Sequence, residues 1–558
     1  MEKQVMSGAL FIAAVLKENG VRQIFSCPGA HVDLLLEACR VQGLPLCEAV
    51  SEQGALHAAD GYARTTGELG VAIVGSGAGA AGTITGLATA MLDSVPLLLL
   101  VGQVANDCLA GDCLASVDIS NMSMPITKHN FLVKNGAYLT EVIPFALKLA
   151  QSGRPGPILV DLPQDVQSSI VLPESFGKKA SPETASLGRQ TAAALDEAVS
   201  IIQNCKRPLL LAGGGATAKG AMLSVRRLAE TKGIPVATTL MGIGVMAPEN
   251  EYCLGFSGMH GSLLANRAVC EADVLIVVGS RFSDRVTGDR FRYGEGKHVI
   301  HLDVDPAEVD KNVFAHVAVV GGIEQSLLHL QECLVPGKWK EWQTELALWR
   351  SEYQEKYDGE RLNAPWIMQR IGTLTKGQEC TFVTDVGQNQ MWAAQHLQIE
   401  SPRQWVTSGG LGTMGFGLPA AMGAQAARRD RRVVHIAGDG GFRMTCSELY
   451  SLQRQKLPVL SLVIDNSCLG MVRQWQQLFY RERYSASLAP LAPDWECLTA
   501  AYGVRAQVVE TPEEFEAAWQ EAWQAKEPRV IVARIPTSDL VTPMLAPNSP
   551  LDTYVEVE

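Results

Sequence analysis

Two strand ends and one isolated glutamate carry most of the chemistry in this sequence. Gly438-Asp439-Gly440 closes the apolar run RVVHIAGD, and Asn466, 27 residues further on, closes the next run, VLSLVIDN. Each run reads as a buried strand, and the stretch from about Thr445 to Lys456 reads as the helix between them. A right-handed strand–helix–strand unit places both strand ends on one sheet edge, with neighbouring strands about 4.8 Å apart. A carboxylate and an amide oxygen then meet where open α/β sheets bind ligands. Such hard oxygens suit Mg²⁺, which completes its shell with phosphate and water, and the glycines admit a diphosphate close to the main chain. The alternative is an ordinary strand-to-helix turn with Asp439 as the cap. Glu52 stands in Ser51-Glu52-Gln53-Gly54, ahead of ALHAADGYAR, on a segment otherwise short of charge. It is either a carboxylate favoured at a helix start or a carboxyl whose pKa an apolar site raises, able to exchange a proton with a ligand nitrogen.

The elements that must position these groups alternate strand and helix. In the first part, strands fall at Val21–Phe25, Gly70–Val74, Pro96–Val101 and Pro157–Leu162, with helices at Ala55–Ala63 and Gly82–Leu92. A polar stretch from about Pro173 to Gln190 reads as a linker. A second unit opens with the strand Pro208–Leu211 and Gly213-Gly214-Gly215, continues through Val274–Val278 and His298–Leu302, and ends near Pro336. Lys338 to Arg361 reads as a connecting helix. The third unit carries strands at Thr381–Thr384, Val433–Ala437, Val459–Ile464 and Val530–Ile535, and the last residues read as a tail or lid. The expected fold class is α/β, in three doubly wound, mostly parallel-sheet domains at 1–172, 190–336 and 362–540 with a tail at 541–558, two similar domains flanking a different one.

Composition narrows the function classes. The 558 residues are 47% hydrophobic and 19% charged, which is globular. A net charge of −12 without a basic cluster argues against nucleic acid or an anionic membrane as partner. The uncharged stretches Val71–Leu92 and Gln404–Ala427 are broken by glycines and are too polar to span a membrane. Thirteen cysteines without a C-x-x-C pair point to reduced thiols in a cytoplasmic protein. Cys108 and Cys113 are poorly spaced for zinc.

SEQGALHAADGYAR, SGGLGTMGFGLPAAMGAQ and the segment from Gly438 to Asn466 together resemble a thiamine-diphosphate-dependent carboligase, and most closely the catalytic subunit of acetohydroxyacid (acetolactate) synthase. VGQNQMWAAQ (386–395) and LGMVRQWQQLFYRERYS (469–485) are similar to that family's cofactor and substrate segments. The resemblance runs from the turn at Gly29 to about Gly503. It implies thiamine diphosphate, Mg²⁺ and FAD as cofactors, and two thiamine-diphosphate-binding domains flanking a Rossmann-like FAD domain. It also implies pyruvate as donor, a second 2-oxo acid as acceptor, and a place in branched-chain amino acid synthesis. Glu52 would be catalytic, pairing with the cofactor's aminopyrimidine. Asp439, Asn466 and the main chain at Cys468 would hold the metal. Gly29, Gly387, Gln388, Met414, Gly438, Gly440 and Met471 would contact thiamine diphosphate, with Met414 beneath it. Arg154, Gly214, Gly258, His260, Gly279, Arg281, Asp303 and Asp305 would contact FAD, although a helix cap before Pro306 is the other reading of Asp305. A homodimer or homotetramer follows from the same resemblance, with Glu52 of one subunit facing Asp439 of the other, and a small regulatory subunit is a further partner to expect.

The substrate region departs from the family. Arg285 resembles its carboxylate clamp and Trp475 its apolar acceptor contact; the alternatives are a structural ion pair and a core aromatic. Leu114 and Ala115 stand where Phe and Gln are usual, Ser116 for Glu, Gln164 for Lys, and Ser51 for His; Gly77–Gly82 reads GAGAAG for GPGATN. Loss of bulk, an amide and a positive charge suggests a pocket open to a larger or uncharged ketone, such as a nucleotide-linked keto sugar. A third reading is an idle, cofactor-binding paralogue, against which the intact Glu52 argues.

Overall fold

The computed structural model describes residues 6–109, 111–172, 189–353, 359–489 and 493–555. The stretch expected to be a linker lies almost wholly outside them. Three six-stranded sheets form the frame, every pairing within them parallel. The first runs Leu46–Glu48, Ile24–Cys27, Gly70–Val74, Leu97–Gln103, Pro157–Pro163, His129–Leu132. The third runs Trp405–Val406, Cys380–Thr384, Arg432–Gly438, Leu460–Asp465, Arg529–Arg534, Arg505–Val509. Numbered along the chain within each sheet, both follow the order 2-1-3-4-6-5. The middle sheet follows 3-2-1-4-5-6, the Rossmann order. The fold is thus α/β, with two outer domains of one topology around a Rossmann-like domain.

Central strands are continuous apolar runs because helices cover both faces; Val71 to Val74 and Leu97 to Val101 are wholly buried. The uncharged segments owe their composition to helix packing. Helix Glu52–Thr66 of the first domain lies against helix Gly417–Ala427 of the third, both in one apolar core. A Cβ on Gly61 would sit 2.1 Å from the Ala420 carbonyl oxygen, and one on Gly423 would sit 1.8 Å from that of Ala58. Only glycine permits main chains to approach so closely. A buried charge cluster closes one end: Arg64 pairs with Asp60, reaches Asp93 at 2.9 Å and the Thr407 carbonyl at 2.8 Å, and lies over the Phe416 ring. Asp93 in turn accepts the main-chain N–H groups of Gly409 and Gly410. These contacts bind the first and third domains within one chain.

The expected helix at Thr445–Lys456 instead starts at Asp439, runs to Thr445, and continues after a 3₁₀ turn as Leu449–Arg454. Gly440-Gly441 is therefore the first turn of a helix, and a Cβ on Gly441 would lie 2.4 Å from the Asp385 carboxylate. The described part of the expected tail packs rather than hangs free: Met544, Leu545 and Leu551 are buried in the core of the middle domain. Among the described residues no helix is long and apolar enough to cross a membrane.

His57 lies wholly inside the helix crossing, edge-on to Phe416, and burial pushes its imidazole down to about 3 from 6.5. The unfolded chain therefore takes up this proton first as pH falls. The neutral His57 contributes fully above about pH 6.5, and the contribution shrinks towards pH 3. Between pH 7.5 and 5 the loss amounts to about 2 kcal/mol. His57→Gln should show a smaller fall in Tm over that interval than the parent, measured by thermal unfolding at both pH values.

Candidate active site

Two groups of residues stand at the carboxyl edges of the outer sheets. On the first sheet the order reverses between Ile24–Cys27 and Gly70–Val74, whose ends lead into Gly29 and Gly75. A Cβ on Gly29 would lie 3.3 Å from the Gly75 Cα, so the two turns touch. Glu52 projects beside them as the first residue of its helix. The capping task belongs to Ser51, whose hydroxyl accepts the Gly54 N–H, which leaves the Glu52 carboxylate free for other work. Gly79 and Gly82 make room for it: a Cβ on Gly79 would approach its Oε1 to 2.8 Å. The Cys27 thiol donates to the Val50 carbonyl at 3.7 Å and lies near the Glu52 carboxylate. Burial first, then the carboxylates of Glu52 and Glu448, push that thiol up to about 12. Ala115 sits in the left-handed region (φ 65°) against Gly77, whereas Leu114 points into solvent, 94% exposed. Gln164 is also exposed, at the start of a short helix.

Sequence reasoning missed Glu448, which has no exposed surface. Its carboxylate accepts the N–H groups of Val50 (3.0 Å) and Ser51 (3.2 Å) and the hydroxyls of Ser51 and Ser451. A third-domain side chain thus fixes the residues immediately before Glu52. Gly54 allows this, since a Cβ there would meet Glu448 Oε1 at 2.0 Å.

On the third sheet, Gly438 is in register with Ile464, so Asp439 and Asp465 follow from adjacent strand ends. Asp439 is buried and pushed up to about 7, chiefly by desolvation, with Asp465 adding and Arg443 opposing. Asn466 donates from Nδ2 to Gln388 Oε1 at 2.8 Å. Ser467, with φ 54°, turns the chain towards the buried Cys468. Met414 Cε and the Leu469 side chain lie over Gly440. Gly387 takes φ 146° to start helix Gln388–His396. Asp385 was also missed: pushed up to about 6 by burial, it accepts the N–H groups of Val386, Gly415 and Gly417 and so anchors the glycine-rich segment.

A cavity of about 1420 Å³ runs from the middle domain to the third. It exceeds the roughly 300–1,000 Å³ of ordinary small-molecule pockets. Arg154, Gly214, His260, Gly279, Arg281 and Asp303 line its middle-domain part, and Arg285, Trp475, Met471 and Gly387 line the other end. Gly214 and Gly279 belong to the two turns at the Rossmann switch point; a Cβ on the neighbouring Gly215 would lie 2.8 Å from the Gly279 Cα. The Arg285 guanidinium lies 5.5 Å from the centre of the Trp475 ring. Gly258 and Asp305 stand outside the lining. Gly258, at φ 137°, packs on the Arg285 carbonyl, and Asp305 caps the turn at Pro306 while pairing with Arg154. Glu308, a third missed residue, is the nearer partner of Arg154, at 2.6 Å. No hydrogen bond among the described residues joins Glu52 to Asp439 or Asn466.

Family models match all three domains. Residues 6–122 match the N-terminal TPP binding domain of thiamine pyrophosphate enzymes, 195–330 the central domain, and 385–533 the C-terminal TPP binding domain. The chain belongs to the thiamine pyrophosphate enzymes. It is 39% identical to the acetolactate synthase isozyme 2 large subunit of Escherichia coli (strain K12), over 98% of each chain. It is 38% identical to the probable acetolactate synthase large subunit of Methanocaldococcus jannaschii, over 99% of this chain and 95% of that one. A third relative, the acetolactate synthase large subunit of Porphyra purpurea, is 37% identical over 98% and 96%. This thiamine pyrophosphate enzyme is therefore a carbon–carbon bond-forming enzyme of the acetolactate synthase type.

Glu448 offers a direct test of how this enzyme holds its first-domain glutamate. Glu448→Ala leaves two main-chain N–H groups without an acceptor, each worth about 1–3 kcal/mol when buried. The variant should lose several degrees in Tm, and hydrogen exchange should accelerate at residues 48–54 while the third sheet stays protected.

Proposed function

We propose that the enzyme decarboxylates pyruvate and joins the remaining two-carbon unit to a second 2-oxo acid. The observation that carries this reading is the pair of outer domains of one strand order, with Glu52 at the carboxyl edge of one and Asp439 and Asn466 at that of the other. When bound, thiamine diphosphate supplies the electron sink for decarboxylation and for transfer to a carbonyl. Asp439, Asn466 and the main-chain carbonyl at Cys468 would hold Mg²⁺ on its diphosphate. The fit rests on a buried carboxylate beside a second one, a charge that a divalent cation neutralises. Gly438, Gly440 and the helix start at Gly387 would admit the diphosphate, Met414 would lie beneath the cofactor, and Met471 would contact it. Both Gln388 side-chain hydrogens are donated within the protein, so this residue offers the cofactor its main-chain N–H.

Glu52 would hold and exchange a proton at a pyrimidine ring nitrogen, with the Cys27 thiol close to the same carboxylate. Arg285 grips the acceptor's carboxylate, and Trp475, stacked under it, supplies apolar contact. FAD fits the middle-domain part of the cavity: the glycines of the Rossmann switch point form a cradle that side chains would fill, and Arg154, Arg281, His260 and Asp303 line it. Two copies of the chain complete each site, bringing Glu52 of one to Asp439 of the other. The relatives are named large subunits, which supports a smaller partner subunit here. Thirteen unpaired cysteines support a reducing, cytoplasmic setting.

One observation favours a second acceptor class. Leu114, where the family carries Phe, points into solvent, and Ala115, where it carries Gln, is a small residue packed on Gly77. The second reading is an uncharged ketone in place of the 2-oxo acid.

Glu52→Gln should retain bound thiamine diphosphate yet release carbon dioxide from pyruvate about 10²–10⁴-fold more slowly; near-normal release would remove Glu52 from its role. Product mass with pyruvate alone decides the acceptor. Acetolactate at a rate unmatched by any added ketone supports the first reading, and strong acceleration by a non-acid ketone supports the second.

A further inference from the structure

Asn466 heads a row of three side-chain amides whose hydrogen bonds run in one direction. Gln474 has no exposed surface and sits on helix Gly470–Phe479. Its Nε2 donates to the Val541 carbonyl at 2.9 Å and to the Met544 sulfur, and its Oε1 accepts the Val541 N–H at 2.9 Å. That two-way pairing with the main chain settles which end of the amide is which. Gln474 Oε1 also accepts from Gln388 Nε2 at 2.8 Å, and the second Gln388 hydrogen goes to the Asp539 carbonyl at 3.2 Å. Gln388 must then present Oε1 to Asn466, whose Nδ2 donates to it. The Asn466 amide is left with Oδ1 facing away from the row, and Oδ1 is the only side-chain atom of asparagine that binds a hard cation. The row is built for close approach: a Cβ on Gly470 would fall 1.9 Å from Gln388 Oε1 and 2.7 Å from Asn466 Nδ2. The main chain of Asn466 is tied to the same C-terminal segment, its carbonyl accepting the Thr537 hydroxyl at 2.8 Å.

We propose that Gln474 is a positioning residue for Asn466: acting through Gln388, and itself oriented by Val541, it keeps the asparagine oxygen turned to the metal. The proposal rests on the reading of Asn466 as a Mg²⁺ ligand. Its consequence is that the segment after the last strand, although it holds no ligand, governs metal affinity. Residues that orient a ligand commonly contribute 10–100-fold to metal binding.

The test is Mg²⁺ titration of the full-length apoprotein at saturating thiamine diphosphate, read by tryptophan fluorescence. Asn466→Ala comes first; unchanged Mg²⁺ affinity would show that Asn466 is no ligand and would overturn the base of the proposal. With that base secure, Gln474→Met, which keeps length and volume, should weaken Mg²⁺ binding about tenfold, and an unchanged Kd would overturn the relay alone. A final comparison separates orientation from general damage. In an Asn466→Asp background either carboxylate oxygen can face the metal, so Gln474→Met should cost less than about twofold there. An equal loss in both backgrounds would assign Gln474 a merely structural role and sink the proposal. If Gln474→Met does not fold, Gln388→Met cuts the same row and is held to the same pair of results.

Discussion

The whole arrangement depends on the crossing of helix Glu52–Thr66 with helix Gly417–Ala427. Main chains meet there at distances no side chain tolerates, at Gly61 on Ala420 and at Gly423 on Ala58. Dispersion at such a contact is individually small and collectively large, and it seats the first domain on the third over a broad apolar area. Around that area the buried charged side chains are committed. Arg64 is shared by Asp60 and Asp93, and Glu448 accepts from Val50, Ser51 and Ser451. A buried guanidinium or carboxylate is costly unless its hydrogen bonds are made, so these clusters admit one docking geometry. The crossing therefore fixes where Glu52 stands with a precision that the loop before it would not supply alone.

The two outer domains use their shared topology for different ends. At the carboxyl edge of the first sheet stand a thiol, a glutamate and a row of small residues that leave space. At the carboxyl edge of the third stand paired carboxylates, amides and glycines that gather donors and negative charge. Topology places the sites, and side-chain chemistry assigns the tasks. The Rossmann-like domain between them adds a crevice at its own switch point, continuous with the region around Arg285 and Trp475.

Central strands were legible in the sequence because burial on both faces leaves long apolar runs, such as Val274–Val278. Edge strands were not: Leu46–Glu48, Trp405–Val406 and Cys253–Phe256 have two to four residues and are too short to show a period. The start of the helix at Asp439 was read six residues late because Gly440-Gly441 looks like a loop. Gly441 is needed for its closeness to Asp385 rather than for a turn. The strand ends at Asp439 and Asn466 were placed by pattern alone, whereas Glu448, Asp385 and Gln474 escaped notice. Their partners lie 398, 30 and 67 positions away, at Val50, Gly415 and Val541, and no local motif records such a pairing. The residues expected to contact FAD came together from the family resemblance, and among them Asp305 and Gly258 are set back from the cavity. Both support neighbours of the cavity and stand outside its lining.

The cavity has a consequence for inhibitor design. A fragment seated in the glycine cradle near Gly214 and another resting on Trp475 would share the same cavity. Tethering the two turns the second capture into an intramolecular event, and the gain depends on a linker matched to the gap. Selectivity could then be tuned at the Trp475 arm while the cradle arm supplies generic grip.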